Sequence, residues 1–361
     1  MEGNVKISFV LPGVSRVPVG GYKMTFEYAN RLCERGHDVT LIFHCYSGMK
    51  RHQQVPNFVK LLYYYIGTYF FPTWFTLHPH VKKICRHKDL IDSDIPNSDL
   101  ICATAIDTAY AVAKLSISKG KKIYFIQGYE NWNGWSDQQV RSSYCLGMEN
   151  VVIAKWLQKI VKESGSDSVL IPNGIDFDVF NVDIPIRQRQ ENTISMLYHK
   201  DPHKGSSYGI QALIQLKKRF PELKAILFGT PKRPKNLPLW MNYVHCANQQ
   251  QLRQIYNQSQ IYLCPSIKEG FGLTGAEAMA CGAAYISSDY GGVHEYTKEG
   301  RNVLLSAPRD VEGLVRNVSY LLVNNEERIR IAENGYHDIK RLDWNQSVNQ
   351  FEKVMLNLVN R

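Results

Sequence analysis

No run of about 20 apolar residues occurs in the sequence, so it lacks the segment a membrane-spanning helix requires. The densest apolar stretch, 61–77, is too rich in tyrosine, and Pro72 interrupts it. Cys-x-x-Cys and zinc-type ligand spacings are missing as well. The eight cysteines, at 33, 45, 85, 102, 145, 246, 264 and 281, are scattered, several of them within apolar runs. This excludes a disulfide framework and predicts reduced, buried thiols in a cytosolic protein. The first residues lack the charged, apolar, small-residue order of a secretion signal, and none is expected. The dinucleotide spacing Gly-x-Gly-x-x-Gly is absent, which speaks against a dehydrogenase. Internal repeats and low-complexity tracts are absent too. Acid is in deficit: 33 Asp and Glu stand against 43 Lys and Arg, a net charge of +10. Excess base attracts nucleic acid, anionic lipid or anionic substrates. No helix-turn-helix, RNA-recognition or zinc-finger pattern accompanies it, so no nucleic-acid partner is expected.

What is present points to parallel α/β structure. A length of 361 residues sets a prior of about two domains, and 44% hydrophobic content supplies both cores. Around residues 261–286 the pattern is strand, glycine turn, helix, strand. Ile261–Cys264 is an apolar run closed by Pro265, Gly270, Gly272 and Gly275 make the turn, and Gly282 stops the alanine-rich helix. Such a turn lies at the carboxyl end of a strand, where open α/β sheets bind ligands. Its backbone N–H groups and helix dipole favour an anion such as phosphate. Two carboxylates frame it, Glu269 and Glu277. Phosphate needs no acids, so they suggest hydroxyl-bearing groups, a ribose and a hexose. Thr274-Gly-Ala-Glu277 also reads as a capping box, in which Glu277 only serves backbone donors.

The longer pattern Pro-Ser-x-x-Glu269-Gly-Phe-Gly-Leu-x-x-x-Glu277-Ala-Met-Ala-x-Gly resembles the Glu-x7-Glu signature of the retaining family-four glycosyltransferases. The resemblance implies the GT-B fold: two α/β Rossmann-like domains whose parallel sheets face each other across a cleft. It implies that Glu277 holds the ribose of a nucleotide sugar and that Glu269 contacts the transferred sugar. The amides of Gly270, Phe271, Gly272, Leu273 and Thr274 then meet the diphosphate or the sugar. Gly20-Gly21 with Leu32-x-x-Arg-Gly-His37-x-Val39 resembles the same family's opening, where the glycine loop faces the donor phosphate and acceptor. Pro172-Asn-Gly174-Ile-Asp176 and Gly291-Gly292-Val-His-Glu295 are similar to its later motifs. Lys204-Gly205 matches the family's diphosphate lysine, whereas the arginine near 199 is replaced by His199, with Lys200 beside it. Lys204 is expected to stabilise the departing diphosphate, with His199 or Lys200 supplying a second positive charge.

Gln127-Gly-Tyr129-Glu130 resembles bacterial rhamnan- and polysaccharide-assembling members, and Tyr129, Glu130, Trp132 and Trp135 are expected on the acceptor side. Residues 1–171, with a last helix at 344–361 packing back on them, are expected as the acceptor-side domain. Residues 172–192 read as a linker and 193–343 as the nucleotide-sugar domain. The reaction implied is retaining hexosyl transfer to a hydroxyl of a polysaccharide or lipid-linked glycan. No cofactor and no metal are expected, since Asp92-Ser-Asp94 and Asp176-Phe-Asp178 read as solvated loop acids. The aromatic segment 61–77, flanked by Lys60, Lys82 and Lys83, reads either as packing on the first domain or as an interfacial patch. The second reading places the protein at the anionic inner face of the cell membrane. Two alternatives stand: a non-catalytic nucleotide-sugar-binding module, and a GT-B epimerase or phosphorylase.

Overall fold

Long apolar runs bounded by glycine and proline become central parallel strands, because parallel sheets are covered on both faces. A computed structural model describes residues 4–46, 55–132 and 134–361. It divides into two compact units, Met1–Pro172 with Asn345–Arg361, and Asn173–Trp344.

In the first unit, β1 (Lys6–Leu11), α1 (Gly20–Glu34) and β2 (Asp38–His44) form the opening βαβ. Then come α2 (Asn57–Phe70), β3 (Lys82–Arg86), β4 (Leu100–Ala103), α3 (Ile106–Ala113) and β5 (Lys121–Ile126). The short helix α4 (Asp137–Ser143), β6 (Glu149–Val152), α5 (Lys155–Glu163) and β7 (Ser168–Leu170) complete it. The seven strands are parallel in the order β3-β2-β1-β4-β5-β6-β7. Strand order therefore reverses between β1 and β4. β3 escaped sequence reading because Lys-Lys-Ile-Cys-Arg is short and mostly polar, as an edge strand can be.

In the second unit the strands are β8 (Thr193–Leu197), β9 (Lys224–Gly229), β10 (Met241–His245), β11 (Ile261–Cys264), β12 (Ala284–Ser288) and β13 (Leu304–Ser306). They pair in parallel in the order β10-β9-β8-β11-β12-β13, with the reversal between β8 and β11. Helices α6 (Ser206–Arg219), α7 (Gln249–Gln258), α8 (Leu273–Ala280), α9 (Val311–Val323) and α10 (Asn325–Ile339) complete the unit. One contiguous core joins Ile194 and Met196 to Leu227, Leu263, Ile286 and Leu321.

Residues 173–192 are part of the second unit rather than a loose tether. Arg189 is buried and donates to the carbonyls of Tyr256, Ser259 and Cys281. A polar, arginine-rich run resembles a linker in sequence, but here three backbone acceptors hold the two terminal nitrogens of its buried guanidinium. The last helix, α11 (Trp344–Val359), lies in the first unit from Asn345 onward. There Phe351 meets Phe9, Tyr28 and Phe125 at ring-centroid distances of 6.1, 4.6 and 6.1 Å. Among the described residues, no helix is long and apolar enough to cross a membrane.

Candidate active site

The reversal between β8 and β11 puts two loops side by side at the carboxyl edge of the second sheet, the position where open α/β sheets bind ligands. The loop after β8 turns through Pro202–Lys204, with the Asp201 carboxylate accepting from the His203 N–H at 2.9 Å. Gly205 then takes a left-handed φ of 61°, and a Cβ there would lie 1.9 Å from the Pro265 carbonyl oxygen. Only glycine lets the two loops approach so closely. The N–H groups of Ile267 and Lys268 close the contact by donating to the His203 carbonyl at 2.7 and 3.2 Å.

This approach brings Lys204 to Glu269, with Nζ donating to Oε2 at 2.8 Å. Ser266 Oγ donates to the other oxygen, Oε1, at 2.8 Å. Burial by itself depresses the Lys204 ammonium, but the charge of Glu269 and the hydrogen bond to it hold its pKa above the ordinary value. Each oxygen of Glu269 thus has a side-chain partner, and the Lys204 cation is fixed in position. Ser266 was missed in sequence; its signal was its place three residues before Glu269 in the same turn.

His199 departs from its expected part. Its Nδ1 accepts from the Asp201 N–H at 3.0 Å, so that nitrogen carries no proton. Burial, then the neighbouring Lys204 charge, pull its pKa down. His199 is therefore a neutral hydrogen-bonding group and not a second cation. Lys200 beside it is exposed.

The glycine turn leads directly into α8. Gly272 is its N-cap at φ 90°, and no side chain caps the helix. The first turn of a helix leaves N–H groups without intrahelical acceptors, and here those belong to Gly272, Leu273 and Thr274. The capping box is not formed: Gly272 starts the helix early, and Glu277 becomes its fifth residue. Glu277 is 4% exposed and accepts from Tyr256 Oη at 3.3 Å. A shelf of buried tyrosines, not read from the sequence, supports the turn. Tyr296 Oη donates to the Gly272 carbonyl at 2.8 Å and lies 3.1 Å from Tyr290 Oη, which is 2.8 Å from Tyr285 Oη. Burial pushes all three hydroxyls up, so they stay protonated donors. A Cβ on Gly272 would lie 2.0 Å from Tyr290 Oη, and one on Gly275 2.4 Å from Tyr285 Oη.

In the first unit, Gly20 and Gly21 form the first turn of α1, not the end of a loop, again with no side-chain cap. Gln127 Nε2 donates to the Gly21 carbonyl at 3.1 Å. Glu130 has a structural partner: its Oε2 accepts from the Ile106 N–H, the first of α3, at 2.6 Å. Burial pushes this carboxyl up to about 7. Trp135 donates from Nε1 to Asp107 at 2.7 Å and stacks on Tyr110 with centroids 5.3 Å apart. Tyr129 is buried, whereas Trp132 stays 45% exposed. Among the expected acceptor-side residues, Trp132 therefore presents an open aromatic face, and the others are engaged in packing. Of the two Asp-x-Asp triplets, Asp176 accepts from the Asp178 N–H at 3.1 Å, as a turn acid does, and Asp92 accepts from the N–H of the distant Ser116 at 2.9 Å.

Comparison with known proteins agrees with this architecture. Residues 183–338 match the family model described as glycosyl transferases group 1. Over 97% of this chain and 96% of the relative, the sequence is 22% identical to a phosphatidyl-myo-inositol mannosyltransferase of Mycobacterium tuberculosis. Among solved structures, a sucrose-phosphate synthase from Thermosynechococcus elongatus superposes with a TM-score of 0.75 at 15% identity, covering 98% of both chains. Anabaena HepE in complex with UDP and glucose superposes with a TM-score of 0.74 at 16% identity, covering 98% of this chain and all of that one. The fold is GT-B. The protein is a glycosyltransferase, and its second unit carries the group 1 glycosyl transferase segment.

Proposed function

We propose that the protein is a retaining, metal-independent glycosyltransferase that moves a sugar from a nucleoside diphosphate sugar to a hydroxyl of a polysaccharide or lipid-linked glycan. The observation that carries this reading is the Lys204–Glu269 pair at 2.8 Å, set at the switch point beside the uncapped start of α8. Lys204 and the N–H groups of 271–274 offer positive potential to a diphosphate. The bond between the sugar's anomeric carbon and the diphosphate oxygen breaks, and the diphosphate keeps the electron pair. An acceptor hydroxyl attacks the oxocarbenium-like carbon from the face the diphosphate leaves, and its proton passes to a diphosphate oxygen. Glu269, held by Ser266 and Lys204, contacts the sugar and offsets the charge that develops on it. A chelator should leave turnover intact, and the anomeric configuration of the product, read by NMR, should match the donor's. An inverted product sinks the retaining assignment.

Which nucleotide is used is open to a thermal-shift screen of nucleotide sugars, because a tight ligand raises Tm by mass action. Glu277 is assigned to the ribose. Glu277→Gln should weaken donor binding by about 1.5–3 kcal/mol, the range for hydrogen bonds to a charged group. Tyr256→Phe, which removes the hydroxyl's contact with Glu277, is the structural control. Equal losses in both variants would assign Glu277 to packing.

The acceptor reading also draws on α2. Its small and polar residues Lys60, Gly67 and Thr68 are buried, while Phe58, Leu62, Tyr65, Ile66, Tyr69 and Phe70 are exposed. Phe58 and Phe70 are 73% and 71% exposed. An apolar helix face turned outward suits a bilayer surface. A relative named for phosphatidyl-myo-inositol supports an acceptor at such a surface. The flanking lysines expected to meet anionic lipid have other work: Lys82 Nζ pairs with Asp38 at 2.9 Å, and Lys83 Nζ donates to the Tyr69 carbonyl at 2.7 Å. Apolar insertion therefore dominates this proposal. Liposome flotation should survive high salt and fail in Phe58→Glu/Phe70→Glu; absence of flotation under every condition returns the helix to acceptor or protein contacts.

A further inference from the structure

Outside the transfer site, the first unit draws together three side chains of metal-ligating type that the sequence keeps apart. Cys33 lies near the end of α1, and His78 and His80 lie in the loop before β3. One ligand atom from each falls within 4.8 Å of the other two. Cys33 Sγ lies 3.2 Å from His78 Nδ1. That nitrogen also accepts from the His80 N–H at 3.3 Å, so it carries no proton and the thiol is the donor in the contact; an ion bound there takes the place of these two donors.

The arrangement is built rather than incidental. Asn30, one turn before Cys33 on the same helix face, straps the loop to α1. Its Oδ1 accepts from the His78 N–H at 2.7 Å, and its Nδ2 donates to the Thr76 carbonyl at 2.8 Å.

We propose that Cys33, His78 and His80 bind a zinc-type divalent cation that staples the segment between α2 and β3 onto α1. One thiolate and two imidazoles match the preference of zinc, and a water completes the fourth position. A tetrahedral zinc ion with bonds of about 2.0–2.3 Å holds its donors about 3.5 Å apart. The Cys33–His78 contact already meets that spacing, and exposed His80 closes the remainder by rotating. On binding, the Cys33 S–H bond breaks and its proton leaves to solvent; the thiolate and both ring nitrogens then donate lone pairs to the ion, with no change of oxidation state. The site is structural. It takes no part in the transfer step, and its test does not depend on activity.

Chelator-treated full-length protein titrated with Co2+ should take up one strongly bound equivalent, showing tetrahedral d–d bands and a thiolate charge-transfer band. Zn2+ should displace it and raise Tm. Cys33→Ser should abolish the thiolate band, and His80→Ala, at an exposed position, should weaken Co2+ binding at least about tenfold. Cys246→Ser is the control, because exposed Cys246 lies 3.4 Å from His245 Nε2 and is the obvious competitor. A thiolate band that survives Cys33→Ser or disappears in Cys246→Ser overturns the proposal, as does a spectrum with no thiolate band at all.

Discussion

Lys204 and Glu269 form a structural pair, to which the proposed function adds a catalytic part, and the two separate by experiment. Lys204→Ala should cost about 2–4 kcal/mol of transition-state stabilisation, the range for a lost electrostatic contact. It also leaves the Glu269 carboxylate, 9% exposed, with Ser266 but without its cation, so Tm should fall. Glu269→Gln should keep nucleotide binding and lose most turnover. Combining the two restores Tm toward wild type without restoring kcat/KM; a double variant that regains activity would make the pair merely structural. Glu130 gives a second residue-level test. Its carboxyl is pushed up to about 7 by burial, so between the ordinary carboxylate range and pH 7 the folded state holds a proton that the unfolded state releases. Stability contributed by the protonated form is present at low pH and is lost as pH rises through about 7. Glu130→Gln should flatten that decline in chemical denaturation across pH, because its amide oxygen still accepts from the Ile106 N–H. An unchanged slope would remove Glu130 as its source.

The glycine turn and its helix act as one element. Gly272 adopts a backbone conformation that side chains rarely take, and Tyr290 fills the space a Cβ would need. Gly272→Ala should cost about 1–3 kcal/mol, as overpacking does, and should weaken donor binding because the N–H groups of 271–274 move with the turn. Adding Tyr290→Phe removes the clashing hydroxyl and should recover part of the stability in urea denaturation. No recovery would place the cost in the backbone alone. This element also shows the reach of sequence reading. The strand, turn and helix of 261–286 were legible because apolar runs and glycines carry them locally. The capping-box alternative was not decidable there: it depends on where the helix begins, and that is set by the φ of Gly272 and the tyrosines beneath it. β3 and β13 escaped notice because three to five residues at a sheet edge carry little pattern.

Over the whole chain, the last helix is integral to the first unit although it is the most distant part of the sequence. Phe351 is fully buried there, and Glu352 accepts from His37 Nε2 at 2.8 Å. Phe351→Ala should cost about 3–5 kcal/mol, and hydrogen exchange should rise first in β1, α1 and β5, which supply its aromatic neighbours. Faster exchange confined to the second unit would contradict the assignment. By itself the sequence determined two parallel α/β units and the glycine turn with its two glutamates, because each is written in contiguous residues whose spacing follows strand, turn and helix geometry. Only the tertiary structure decided that Lys204 meets Glu269, that His199 is neutral, that Arg189 belongs inside the second unit, that α2 turns its apolar face outward, and that Cys33 meets His78 and His80. Those outcomes join segments tens of residues apart, and neither pairing across such distances nor the burial that sets charge leaves a local mark in the chain.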